Sequence, residues 1–142
     1  MDLIYTLEQT DIIANQLVKK YANQSVWVFQ APMGAGKTTL IAAIGKVLGI
    51  QQAMSSPTFS IMNEYEVLGK LIYHMDWYRL ESTAEARQAG VEAAMEEADL
   101  SLVEWPERAA NLVPENAVVI HIEILDPNHR RIFIQKEKES TE

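Results

Sequence analysis

The chain has 142 residues, a length that fits one domain with one sizeable core. It has no cysteine, which excludes disulfides, thiolate catalysis and cysteine–zinc sites. Its 20 acidic residues outweigh 12 lysines and arginines, giving a net charge of −8, and beyond Lys19-Lys20 and Arg130-Arg131 no basic cluster exists, which argues against autonomous binding to DNA or RNA.

Met1 to Thr6 carries no basic region and no long apolar run, so no secretory leader is expected. No window approaches 18 apolar residues, so no membrane span is expected, and the location predicted is cytoplasmic. Leu3–Leu7 reads as a short first strand. Thr6 or Thr10 caps a helix reaching about Ala22, with Ile12, Ile13, Leu17, Val18 and Tyr21 as its apolar stripe. After the turn Asn23-Gln24-Ser25, the run Val26–Gln30 reads as a buried strand.

The stretch Ala31-Pro32-Met33-Gly34-Ala35-Gly36-Lys37-Thr38-Thr39 follows, and a helix from Thr38 to Leu48 with Gly49 as C-cap comes next. Strand, glycine-rich turn and helix form the context that a phosphate-binding loop requires. Backbone N–H groups must face a concavity there, and the helix N-terminus adds unpaired donors and partial positive charge. Met33 to Thr39, that is Met33, Gly34, Ala35, Gly36, Lys37, Thr38 and Thr39, are therefore the candidate phosphate-binding residues. Lys37 is expected to reach the β- and γ-phosphates and Thr38 to ligate Mg²⁺. The pattern G-x-x-x-x-G-K-[ST] is met except at its first position, where Ala31 stands for glycine. Ala31 precedes proline and so favours the extended backbone of a strand end.

Ser55-Ser56-Pro57-Thr58-Phe59 interrupts the periodicity, and a hydroxyl at Thr58 is placed to close over a metal and phosphate as switch loops do. Ser60–Val67 and Leu71–Met75 form a hairpin turning at Gly69-Lys70. Asp76 ends its second strand and is the candidate metal carboxylate, at a strand end beside the loop strand. His74 alternates with the apolar residues of that strand and is read as structural. A helical region opens at Ser82-Thr83-Ala84-Glu85 and reaches Glu97, broken at Gly90. Leu100–Val103 is another buried strand, and Glu104 at its end is the candidate group for orienting or activating water, and a second candidate metal ligand. Trp77 and Trp105 each follow a candidate carboxylate; each suits either a cleft rim or the core. A short helix covers Glu107–Leu112, and Ala117–Leu125 pairs with Arg131–Lys136 in a hairpin around Asp126-Pro127-Asn128-His129. The two hairpins make the sheet mixed. The predicted fold is α/β, a P-loop NTPase-like single domain with a mixed central sheet flanked by helices. Residues 1–137 form the domain and 138–142 a charged tail.

Taken together and in order, Gly34-Ala35-Gly36-Lys37-Thr38-Thr39, Ser56-Pro57-Thr58-Phe59, His74-Met75-Asp76-Trp77-Tyr78-Arg79-Leu80 and Glu104-Trp105-Pro106-Glu107 resemble the TsaE family (also called YjeE) of small bacterial P-loop ATPases. The resemblance implies ATP and Mg²⁺ as cofactors and a part in making N6-threonylcarbamoyladenosine at position 37 of tRNA. It implies a TsaB–TsaD pair as partner, with tRNA engaged only indirectly and with neither DNA nor membrane. It implies Lys37 on phosphate, Thr38 on Mg²⁺ and Asp76 as the Walker-B-like aspartate. It further implies Glu104 as the catalytic glutamate, Thr58 as a switch-like threonine and Trp105 as an aromatic near the nucleotide. The family's Gly-Asp is replaced here by Ala31-Pro32. Two other readings stay open at this point: a small-molecule kinase, and a non-hydrolytic interaction module shaped by bound nucleotide.

Overall fold

A computed structural model describes residues 1–55, 57 and 61–135. Ser56, Thr58, Phe59 and the tail 138–142 lie outside the described residues. Seven strands are described: β1 (Asp2–Thr6), β2 (Val26–Gln30), β3 (Met62–Val67), β4 (Lys70–Asp76), β5 (Leu100–Glu104), β6 (Val118–Asp126) and β7 (His129–Gln135). They form one sheet in the order β1-β7-β6-β2-β5-β4-β3. β2 runs parallel to β5 and β6, and β4 runs parallel to β5. β1 with β7, β6 with β7 and β3 with β4 are antiparallel, so the sheet is mixed as the two hairpins require.

The helices are α1 (Thr10–Tyr21), α2 (Lys37–Leu48), α3 (Thr83–Gln88) and α4 (Val91–Glu97), with 3₁₀ segments at Leu7–Gln9 and Pro106–Leu112. β2 is buried on both faces, as a central parallel strand must be. Its Trp27 and Phe29 join Ile13 and Leu17 of α1 and Leu40, Ile41 and Ile44 of α2 in one core. Its Val26 and Val28 face Ala86 of α3, Val91 of α4 and Leu112 in a second core on the other face. The molecule is thus three layers, helices on both faces of a sheet. Among the described residues no helix is long and apolar enough to cross a membrane.

Several local expectations shift. Ile12 is 54% exposed, and α1 buries Thr10, Ile13, Ala14 and Leu17 instead. These four fall on one side of a 3.6-residue helix, and Ile12 falls off it. The β3–β4 turn sits at Leu68-Gly69 rather than Gly69-Lys70, with φ of +53° and +78°. Both central residues are left-handed, which is the mirror-type turn that fits the twist of paired strands. Gly90, at φ +85°, separates α3 from α4 where the break was expected. The short helix after β5 is 3₁₀ and interrupted at Ala109, whose φ and ψ are −146° and 55°.

Candidate functional site

β2, β4 and β5 are parallel, so their carboxyl ends lie at one edge of the sheet, where open α/β sheets bind ligands. The glycine loop leaves β2 there, and α2 begins at Lys37. Gly34 and Gly36 hold φ of +81° and +91°, which a side chain disfavours. A Cβ built on either would meet no atom within 4 Å, so the loop encloses open space. A cavity of about 620 Å³ occupies that space. Met33, Gly34, Gly36, Lys37, Thr38 and Thr39 line it from the loop, and Asp76, Glu104 and Trp105 from the strand ends. Pro57, Ile61, Tyr78 and Arg79 also line it.

Ala35 plays a different part. It is 1% exposed, packs into the core and donates its N–H to Pro32 O at 3.2 Å, so it shapes the loop. Thr58 lies outside the described residues. Trp77 is fully buried in the core and is no part of a rim.

Lys37 is only 5% exposed. Its Nζ donates to Ala31 O at 3.0 Å and lies 3.5 Å from the centre of the Trp105 ring. Burial pulls its pKa below the ordinary lysine value, and the charges of Glu104, Glu107 and Asp76 oppose that pull. An ammonium held this way is desolvated and poised for an anion. Trp105 reaches it by adopting φ +58° and ψ 52°, left-handed for a residue with a side chain. Its ring lies 4.9 Å from that of Tyr78, over which the Arg108 guanidinium sits at 5.1 Å.

Glu104 is 2% exposed. Its Oε1 accepts from the Thr38 hydroxyl at 3.4 Å, and its Oε2 lies 2.6 Å from His74 Nε2. His74 is wholly buried, which agrees with a structural part, but it also fixes one oxygen of the candidate catalytic carboxylate. Asp76 pairs in register with Glu104. It was expected beside the loop strand, yet β5 stands between β4 and β2, so the adjacent carboxylate is Glu104. Asp76 Oδ1 accepts the Tyr78 N–H at 2.9 Å.

Among the described residues no three His, Cys, Asp or Glu side chains cluster as a metal cage. Mg²⁺ does not need one, because it is held by one or two carboxylates or hydroxyls together with phosphate and water. Thr38, Glu104 and Asp76 facing one cavity fit that donor set.

One further residue was missed from sequence. Arg130 of β7 donates from Nε to Ala35 O at 3.0 Å, behind the loop and 95 residues away in the chain.

A family model described as threonylcarbamoyl adenosine biosynthesis protein TsaE matches residues 4–132. The tRNA threonylcarbamoyladenosine biosynthesis protein TsaE of Haemophilus influenzae is 32% identical over 114 residues, 80% of this chain and 72% of that protein. The protein of the same description from Treponema pallidum is 36% identical over 111 residues, 78% of this chain and 81% of that one. The crystal structure of Bacillus subtilis YdiB aligns with a TM-score of 0.73 at 26% identity, covering 94% of this chain and 84% of that chain. The matched segment holds the glycine loop, Asp76, Glu104 and Arg130 alike, and the chain belongs to the TsaE family.

Proposed function

We propose that this protein binds ATP with Mg²⁺ at the glycine loop and hydrolyses it in support of tRNA threonylcarbamoyladenosine synthesis, with a TsaB–TsaD pair as its working partner. The observation that carries the reading is the convergence of a buried lysine, a helix-start threonine and a buried strand-end glutamate on one open cavity. The relatives' name supplies the pathway. The partner pair rests on the resemblance of the four motifs.

In this reading Lys37 leaves the Ala31 carbonyl and the Trp105 ring for the β- and γ-phosphates. The loop N–H groups hold the same phosphates, helped by the start of α2. Thr38 and Asp76 would hold Mg²⁺, which would offset the negative charge of the reacting phosphate, with Glu104 kept for the water. His74 keeps Glu104 from rotating, so the oxygen facing Thr38 and the cavity accepts a proton from the attacking water. Trp105 and Tyr78 shield the site from bulk solvent. The acidic surface leaves tRNA to the partners.

Calorimetry with Mg-ATP, followed by phosphate release with and without the TsaB–TsaD pair, tests the reading. Lys37→Ala is expected to abolish measurable binding. Glu104→Gln is expected to keep binding and to slow release by about 100-fold or more. Unchanged affinity in Lys37→Ala sinks the site. Binding without turnover, even with the pair present, reduces the protein to a nucleotide-dependent interaction module.

A further inference from the structure

Arg130 is 6% exposed, and among the described residues its hydrogen bonds run to backbone carbonyls rather than to a carboxylate. Nε donates to Ala35 O at 3.0 Å, and Nη1 donates to Asp126 O at 2.8 Å and His129 O at 3.1 Å. A buried guanidinium without a counter-ion is costly, and carbonyl dipoles offset only part of that cost. The side chain therefore joins two things that the chain keeps far apart: the glycine loop and the tight turn between β6 and β7.

The direction of the first bond matters. Among the described residues no peptide bond is cis, so the Ala35–Gly36 unit is planar and trans. Its carbonyl and its N–H then point in opposite directions. With Ala35 O turned back onto Arg130, the Gly36 N–H is turned away from the guanidinium, and Gly36 itself lines the cavity. The same bond places a permanent positive charge directly behind the loop. The other end of the guanidinium grips a turn that is itself well ordered: Asp126 Oδ1 accepts the N–H of Asn128 at 2.8 Å and of His129 at 2.9 Å. Leu7 N–H also donates to Asn128 O at 3.1 Å, tying the turn to the first helical segment.

We infer that Arg130 is a positioning residue for phosphate: it aims the Gly36 N–H into the cavity and couples the occupancy of the glycine loop to the β6–β7 turn. This rests on the nucleotide reading above. A lysine cannot replace it, because one ammonium on a flexible stem does not span Ala35 O and the two turn carbonyls as a planar fork does. Coupling between two sites is reciprocal, so whatever seats on the turn at Asp126–His129 biases nucleotide affinity by the factor with which nucleotide biases the turn.

The test uses the full chain, Mg-ADP as probe, and two variants, Arg130→Gln and Arg130→Lys. In the wild type, saturating Mg-ADP is expected to slow amide exchange at Asn128 and His129 by at least about threefold, with β3 amides at the far sheet edge unchanged. Arg130→Gln is expected to weaken Mg-ADP by about tenfold or more. Arg130→Lys, which keeps the charge and loses the fork, is expected to stay at least about fivefold weaker and to lose the nucleotide-dependent protection of the turn. Wild-type affinity in either variant overturns the inference, as does a wild-type turn indifferent to nucleotide. That last measurement needs no variant, so a substitution that fails to fold cannot shelter the idea. A wild type that does not bind Mg-ADP overturns the nucleotide reading and this inference with it.

Discussion

Gly34 and Gly36 are glycines for conformation: each holds a left-handed φ, and a Cβ on either meets nothing within 4 Å. The empty space in front of them is the cavity itself. Gly36→Ala therefore separates two effects. Forcing alanine to φ +91° is expected to cost about 1–2 kcal/mol in urea unfolding, with the fold retained. The added methyl also stands where an anion would sit, so nucleotide affinity is expected to fall further than the stability loss explains. Equal stability of the variant and the wild type would show that the loop relaxes elsewhere. The glycines were legible from sequence because their spacing before a lysine and a helix leaves little else for them to do. The left-handed Trp105 was not legible, since tryptophan gives no hint of φ. Its place over Lys37 emerges only when the end of β5 is set beside the end of β2. His74 failed to declare itself for the same reason. Alternation gave its face of the strand, but the neighbour on that face, Glu104, comes from another strand.

The elements themselves were mostly visible, because their signals are local. Gly90 ends one helix and starts another, and the hydroxyl of Ser82 accepts the Glu85 N–H at 3.1 Å to cap the first of them. Both hairpins could be read from alternation and turn residues. Errors came where the local signal was ambiguous, as at Ile12, whose apolar side chain suggested a wider stripe than α1 buries. What α1 does bury is consequential for the site. Ile13 and Leu17 pack in one cluster with Leu40, Ile41 and Ile44, the face of α2 that sets where its N-terminus, and hence Lys37, points. Leu17 is fully buried. Leu17→Ala is expected to lower unfolding free energy by about 2–5 kcal/mol, measured by chemical denaturation. A loss under about 1 kcal/mol would mean that α1 is not part of the cooperative core.

At the scale of the whole molecule, sequence gave the class of sheet and left its order open. Nothing local says that β1 pairs with β7, closing the two ends of the described chain against each other. That pairing puts Tyr5 opposite Arg130, beneath the loop. Tyr5 is 3% exposed, and burial raises its pKa above the ordinary 10.0, with the Arg130 charge pulling the other way. Below pH 10 the tyrosine is neutral in the folded and the unfolded chain, so its contribution to stability is fully present. Above that pH the unfolded chain gives up the proton while the folded chain keeps it. The unfolded state then binds fewer protons, and stability falls as pH rises toward the folded-state value. Tyr5→Phe removes this linkage. The stability of the variant is expected to decline less steeply above pH 10 than that of the wild type, measured by urea midpoints across the alkaline range. A residual slope remains, because burial also raises Tyr21 and Tyr73. Superimposable alkaline limbs would show that Tyr5 reaches solvent before the sheet opens, and that the β1–β7 pairing beneath the loop is looser than its burial implies.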